Sequence, residues 1–255
     1  MKLNAVKAVI TGGVSGLGLA VARHLVSAGG QAVLLDINDE AGAAVEQELG
    51  DAVRYINTDV TSEAGVQSAM AGAVETMGAV NVAINCAGII GAGRVLGREA
   101  PMPLDYFSKV IQVNLVGSFN VCKAAGAAME SNKPGEDGER GVIVSTASVA
   151  AYEGQIGQAA YSASKAGIVG MTLPIAREYT RIGVRVMAIA PGIFWTPMVD
   201  GMPEHIQESL SASIPFPSRL GKPEEFAGLV AHIIENGYFN GETIRLDGAV
   251  RLQPK

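Results

Sequence analysis

A doubly wound α/β domain is what the 255-residue sequence predicts, with a mostly parallel sheet of seven strands and helices on both faces. Three observations predict it. Short apolar runs alternate with stretches of helical periodicity along nearly the whole chain. The first run feeds a glycine turn that opens a helix, Thr11-Gly-Gly-Val-Ser-Gly-Leu-Gly18. The second run, QAVLLD, ends on an acid, Asp36. Strand, glycine turn, helix, strand and acid is the Rossmann layout. No linker or internal repeat interrupts it, so a single domain over residues 1–255 is expected.

The elements follow in order. Residues 6–11, VKAVIT, read as a buried strand, and LAVARHLVSAG reads as a helix with an apolar stripe of Leu19, Ala22, Leu25 and Val26. Gly29 and Gly30 end that helix as C-cap residues. Between them, Gly12 permits a tight turn, Gly16 lets a pyrophosphate approach the backbone, and Gly18 allows the helix to pack closely. A glycine turn alone also fits a purely structural bend. Asp36 lies where a carboxylate reads a ribose 2′-hydroxyl and repels a 2′-phosphate, and no Lys or Arg lies between Gly12 and Gly18 or just after Asp36, which favours NAD over NADP. A turn acid ahead of the next helix is the alternative.

That helix is expected over about 39–49, followed by the strand AVRYIN and then Asp59-Val60, with Thr61 as the cap of the next helix. Asp59, at a strand's carboxyl end, is placed to meet an adenine edge, and it also fits a plain loop acid. The helix runs to Met77, and VNVAIN is the next strand. Small residues in Asn85-Cys-Ala-Gly88 let a dinucleotide lie close to the backbone, with Cys86, Ala87 and Gly88 as contacts. Residues 89–105 break the rhythm with glycines, prolines and charges, and predict an ordered insertion at the functional edge of the sheet. A long helix over about 106–129 carries Asn114 among apolar neighbours, so Asn114 is either a satisfied core residue or a site residue.

Residues 142–165, VIVSTASVAAYEGQIGQAAYSASK, carry the densest chemistry. The apolar run Val142–Val144 leads up to Ser145, Thr146 and Ser148 at a polar strand end. Beyond a loop, i to i+4 spacing places Tyr161 and Lys165 on one helix face. A phenol and an ammonium facing a serine can move a proton while a hydride moves. Taken alone, that spacing also fits a solvated helix face. The helix continues to about Arg181, with a kink or a locally reorganised turn expected at Pro174. VRVMAIA is a strand ending at Pro191-Gly192, residues 193–216 read as a lid or substrate loop, Pro223 opens a helix to about Glu235, and GETIRLDGA supplies the last strand.

Composition excludes several classes. The chain is 48% hydrophobic with 32 glycines, too apolar for disorder. No stretch reaches roughly 18 uninterrupted apolar residues, so no membrane span is expected. A net charge of −6 argues against general nucleic-acid binding. Cys86 and Cys122 read as small residues in apolar surroundings, without a C-x-x-C pair. His24, His205 and His232 are scattered, which argues against a metal site or a serine–histidine triad. The N-terminus runs straight into a strand without a signal or transit pattern, so a bacterial cytoplasmic location is expected.

Thr11-Gly-x-x-x-Gly-x-Gly18, Asn85-Cys-Ala-Gly88, Asn114, Ser148, Tyr161-x-x-x-Lys165 and Pro191-Gly192, in this order, resemble the classical short-chain dehydrogenase/reductase family. Asn85-Cys-Ala-Gly88 departs slightly from the commoner double-asparagine form. The stretches TASVAAYEGQIGQAAYSASKAGIVGMTLPIARE, PFPSRLGKPEEFAGLV and NGETIRLDGA resemble the branch of that family acting on 3-hydroxyacyl-CoA. The resemblance implies a homotetramer that uses NAD to oxidise the 3-hydroxyl of acyl-CoA chains. It implies NAD contacts at Ser15, Leu17, Asp36, Asp59, Val60, Cys86, Tyr161, Lys165, Phe194 and Thr196, with Pro191 beside them.

It also makes Tyr161 the general base, with a pKa lowered by Lys165 and by the oxidised nicotinamide. Ser148 orients the reacting oxygen, and Asn114 holds a water that links Lys165 to solvent. Gln155, between the serine and the tyrosine, is expected to touch substrate. Departures at residues 90–105 and at Trp195 bear on substrate choice. A CoA substrate predicts a basic contact near the cleft, with Arg94, Arg98, Arg219 and Lys222 as candidates. Two alternatives stand beside this: a dehydrogenase of steroids or other hydrophobic secondary alcohols, and a dinucleotide-binding sensor or scaffold, against which the intact Asn-Ser-Tyr-Lys set weighs.

Overall fold

The computed structural model describes residues 1–200 and 203–254. All seven strands join one sheet: β1 (Lys7–Thr11), β2 (Gln31–Asp36), β3 (Val53–Asn57), β4 (Val82–Asn85), β5 (Gly141–Thr146), β6 (Val184–Pro191) and β7 (Thr243–Leu246). The order is β3-β2-β1-β4-β5-β6-β7, and every pairing is parallel. β1 and β4 are neighbours at the point where the winding reverses, and the crevice above their carboxyl ends is where such sheets take ligands.

The pleat sorts the strand side chains between two cores. Ala8, Ile10, Leu34, Ile84, Val144 and Ile189 pack on one face with α1 (Gly16–Ser27), α2 (Asp39–Leu49) and α9 (Pro223–Glu235). Val9, Val33, Leu35, Ala83, Ile143 and Val186 pack on the other with α3 (Glu63–Met77), α5 (Gly117–Glu130) and α6 (Ala159–Tyr179). Strands buried on both faces need the near-continuous apolar runs seen in the sequence.

Several local expectations are refined. The helix starting at α4 (Leu104–Ile111) does not run on as a regular α-helix: Gln112–Val116 is a π-helical segment before α5, and Asn114 lies in it. An inserted turn of this kind re-aims side chains and gathers at functional sites. The cap of α3 is Ser62, whose side chain accepts from the Gly65 amide at 3.1 Å, while Thr61 donates its hydroxyl to Asp59 instead. The first helix is capped by Ala28, with Gly29 just beyond it in the left-handed region at φ +88°. α6 runs as one element through Pro174. In the lid, α7 (Pro197–Asp200) and α8 (Glu204–Ala212) follow β6, and residues 201 and 202 lie outside the described residues.

Candidate active site

A cleft of about 1470 Å³ opens over the carboxyl ends of the strands. At one end it meets the glycine turn, where Gly12, Ser15, Gly16, Leu17 and Gly18 line it. Gly12 and Gly16 hold φ of +61° and +51°, which a side chain would strain. A Cβ on Gly12 would stand 2.8 Å from the Ala87 backbone nitrogen, and one on Gly18 would run into the Gly12 carbonyl oxygen. The turn is thus folded against both its own helix and the β4 end, and the first three residues of α1, Gly16 to Gly18, line the cleft. The Thr11 hydroxyl brackets the switch point by accepting from the amides of Cys86 and Ala87 at 3.2 and 3.1 Å.

Asp36, Asp59 and Val60 line the cleft beyond β2 and β3. Oδ1 of Asp36 accepts from the amides of Ile37 and Asn38 at 2.8 and 3.2 Å, so Asp36 is a turn acid as well as a cleft residue. Asp59 likewise fixes its own loop, its Oδ1 accepting from the Thr61 amide at 2.9 Å. Cys86, Ala87 and Gly88 form the floor, and Pro191, Phe194 and Thr196 the wall after β6.

Ser148, Gln155, Tyr161 and Lys165 line the same cleft. Ser148 is buried, with Oγ held by the Ala150 amide at 3.1 Å. Lys165 donates to the Thr146 carbonyl at 2.7 Å and stands 5.7 Å from the centre of the Tyr161 ring. Thr146, the last residue of β5, was read from the sequence as part of a polar strand end but not as the partner of Lys165. Asn114 stands behind the cleft wall, fully buried. Its Oδ1 accepts from Ile89 N at 2.8 Å, and its Nδ2 donates to Ile89 O at 2.9 Å and to Ser164 Oγ at 3.0 Å. Ser164 in turn donates to the Tyr161 carbonyl at 2.7 Å. Asn114 therefore ties the loop after β4 to the helix carrying Tyr161, as a positioning residue that does not line the cleft.

A family model described as short chain dehydrogenase matches residues 6–207. The chain belongs to the short-chain dehydrogenase family. Human 3-hydroxyacyl-CoA dehydrogenase type-2 is 55% identical over 249 residues, 97% of this chain and 95% of that protein. Ipsdienol dehydrogenase of Ips pini is 33% identical over 246 residues, 95% of this chain and 96% of that one. The crystal structure of 3-hydroxyacyl-CoA dehydrogenase type-2 from Mycobacterium avium superposes with a TM-score of 0.94 at 43% identity, covering 97% of this chain and 96% of that one.

This short-chain dehydrogenase is an enzyme whose family uses a nicotinamide dinucleotide, and the glycine cradle, the length of the cleft and the phenol–ammonium pair at its far end fit that group. The electrostatics of the free protein refine the expected chemistry. Burial raises the Tyr161 phenol above its ordinary pKa, and a hydrogen bond with Ser148 pulls it partly back. The lowering expected from Lys165 does not show in the free protein, where burial dominates and Ser148 alone opposes it. Burial also pushes the Lys165 ammonium down to about 8. Cys86 and Cys122 are free, and burial pushes both thiols up to about 11, so neither is a thiolate nucleophile at neutral pH.

The Lys165 shift has a consequence for stability. An unfolded lysine holds its proton up to about 10.4, more tightly than buried Lys165 does. The cost of burying the charge is complete below pH 8 and is relieved as pH rises toward the unfolded value. Lys165→Met is expected to make the free protein more stable at pH 7, by up to roughly 3 kcal/mol less the loss of the Thr146 bond. That advantage should shrink between about pH 8 and 10.4, as denaturant melts of both forms across that range will show.

Sequence reasoning missed part of the lining. Lys109, Gln112 and Val113 reach the cleft from the α4 end and the π-helical segment, and Val250, Arg251, Leu252 and Gln253 reach it from the C-terminal tail. The π-helical turn and a tail beyond the last strand leave no periodicity to read. The four basic candidates are corrected: Arg94, Arg98, Arg219 and Lys222 do not line the cleft, and Arg219 pairs with Glu225 at 2.7 Å. Trp195 is also off the lining and 42% exposed, because its backbone pairs with Gly221 while Phe194 turns inward onto Phe226.

Proposed function

We propose that the protein is an NAD-dependent 3-hydroxyacyl-CoA dehydrogenase. The observation that carries this is one continuous cleft running from Asp36, past the glycine turn, to Ser148, Tyr161 and Lys165, with an apolar lid and tail beyond. The high identity to relatives named for that activity supports the substrate class. When bound, the nicotinamide supplies the hydride acceptor.

The chain's own residues do the rest. Ser148 donates a hydrogen bond to the reacting oxygen and fixes its place. Tyr161 takes the proton of the 3-hydroxyl in oxidation and returns it in reduction. A phenol raised by burial needs nearby positive charge before it can act as a base near neutrality, and Lys165 provides it, protonated below about pH 8. Asp36 accepts the ribose diol through the carboxylate oxygen that the turn leaves over, which supports NAD over NADP. Asn114 sets the Tyr161 helix through Ser164. The water relay expected of Asn114 falls to its main-chain carbonyl, which accepts the Ser118 hydroxyl at 2.8 Å. Gln155 lines the substrate end. On the family resemblance we extend this to a homotetramer.

A dehydrogenase of other hydrophobic secondary alcohols is the alternative, favoured by one observation: none of the four expected basic contacts for a CoA group lines the cleft, where Lys109 and Arg251 are the basic residues besides Lys165. Following NADH formation with a panel of 3-hydroxyacyl-CoAs and secondary alcohols separates the two. Turnover of the acyl-CoAs is expected, and turnover of the free alcohols alone would reject the proposal.

A further inference from the structure

The C-terminal tail is tied to the catalytic loop by charge. Arg245, on β7, donates through its two terminal nitrogens to both carboxylate oxygens of Glu153, at 2.7 and 2.9 Å, and through Nε to Asp247 at 2.7 Å. Its guanidinium also lies 5.3 Å from the centre of the Tyr152 ring. Arg251 adds a bond to Asp247 at 3.1 Å and comes within 3.5 Å of Glu153. Asp247 accepts from the Ala249 amide at 3.0 Å, in a turn where Ala249 holds φ +66°. That left-handed conformation is costly for a residue with a Cβ, and the network holds the turn in place.

Glu153 lies in the loop between Ser148 and Tyr161, and the tail runs alongside that loop. Ile156 donates its amide to the Pro254 carbonyl at 3.0 Å, and Gln155 donates its side-chain amide to the Gln253 carbonyl at 3.0 Å. The other side of the tail meets the lid. Val250 and Leu252 form a small apolar cluster with Val199, Leu210 and Ile214, separate from the two cores flanking the sheet. Gly248 permits this approach, since a Cβ there would stand 2.6 Å from the Ile214 side chain. Val199, Leu210, Val250 and Leu252 all line the cleft.

We propose that the Glu153–Arg245 pair is a positioning device that sets the substrate end of the cleft, fixing the tail and, through Val250 and Leu252, the lid above the substrate's apolar chain. Neither residue touches the reacting atoms. Chain-length preference is set at this wall, where Leu210 of the lid and Leu252 of the tail belong to one apolar cluster and both line the cleft. This rests on the reading of the protein as a dehydrogenase of extended apolar substrates.

Glu153→Gln keeps the side-chain size and removes the charge. In the full-length variant, hydrogen exchange at the Ile156 and Val250 amides is expected to accelerate about tenfold, the factor one charge-assisted hydrogen bond carries. KM for a long-chain 3-hydroxyacyl-CoA should rise by a similar factor, while kcat on the short-chain substrate and dinucleotide affinity by calorimetry stay near wild type. The charge-reversed pair, Glu153→Arg with Arg245→Glu, should recover part of the KM. If Glu153→Gln does not fold, Arg245→Lys, which keeps the charge and loses the fork, is expected to show the same pattern more weakly. Unchanged exchange at both amides, or a loss of kcat alike on every substrate together with weakened dinucleotide binding, would overturn the proposal. A wild-type protein that oxidised no acyl-CoA would remove the substrate class alone, and exchange at Ile156 and Val250 would still decide the network.

Discussion

Tyr161→Phe is expected to lower kcat by about 10⁴-fold, the upper end of what a positioned acid–base group contributes. The substitution deletes one oxygen and leaves the ring on α6, against which Lys165 stands at 5.7 Å. Loss of the hydroxyl removes the proposed proton acceptor while leaving the glycine turn and Asp36 untouched. Dinucleotide affinity, measured by calorimetry on the variant, should stay within about threefold, because less than about 1 kcal/mol separates the two forms there. Ser148→Ala should be less severe, since it removes an orienting hydrogen bond and not the base. A Tyr161→Phe enzyme with near-normal turnover would remove Tyr161 from the acid–base role.

The second large effect is on cofactor choice. Asp36→Ala with Ile37→Arg is expected to shift the ratio of kcat/KM for NAD over NADP by about 10²–10³-fold toward NADP. One lost and one gained charge-assisted hydrogen bond together account for that range. Ile37 is 70% exposed and lines the cleft, so an arginine there has room beside the ribose. Asp36 also accepts from the amides of Ile37 and Asn38, and its replacement loosens that turn. Asp36→Asn is the control, because an amide oxygen can still accept those two bonds. Retained NAD preference in the double variant would show that Asp36 does not read the ribose.

Much of this molecule was legible because its signals are local and periodic. The strands are buried on both faces, so they had to be apolar runs, and each functional segment sits where such a run stops: Thr11 to Gly12, Asp36, Asn85 to Gly88, Ser148, and Pro191. Tyr161 and Lys165 could be paired because a helix repeats every 3.6 residues. What failed to show was non-local or irregular. The π-helical turn at Gln112–Val116 has no distinguishing pattern, so the sequence left Asn114 open between a core and a site residue and did not show its side chain bonding to Ile89 and Ser164. Thr61 and Ser62 are equally good caps by composition, and only the hydrogen bond from Thr61 to Asp59 decides between them. The basic candidates were chosen for charge near the cleft segments, and a folded chain was needed to see Arg219 turned onto Glu225. The tail from Asp247 to Pro254 follows the last strand with no periodicity, and its place on the cleft wall depends on Glu153 far back in the chain.

The unfavourable placement of Lys165 fits the same picture. A buried ammonium with a pKa pushed down to about 8 costs stability in the free protein, and it is retained beside a phenol that burial makes harder to ionise. Active sites commonly hold such groups against the interest of the fold. A Lys165→Met protein that melts later but turns over far more slowly would show both sides of that exchange in one variant.

The most direct measurement follows the hydrogen itself. A 3-hydroxyacyl-CoA deuterated at C3 is incubated with the wild-type protein and NAD, and both products are analysed by mass spectrometry. The predicted result is deuterium in the reduced dinucleotide, matched mole for mole by unlabelled 3-ketoacyl-CoA. Absence of label from the dinucleotide, under conditions where the protein oxidises a simple secondary alcohol, would contradict the assignment of this cleft to 3-hydroxyacyl-CoA oxidation.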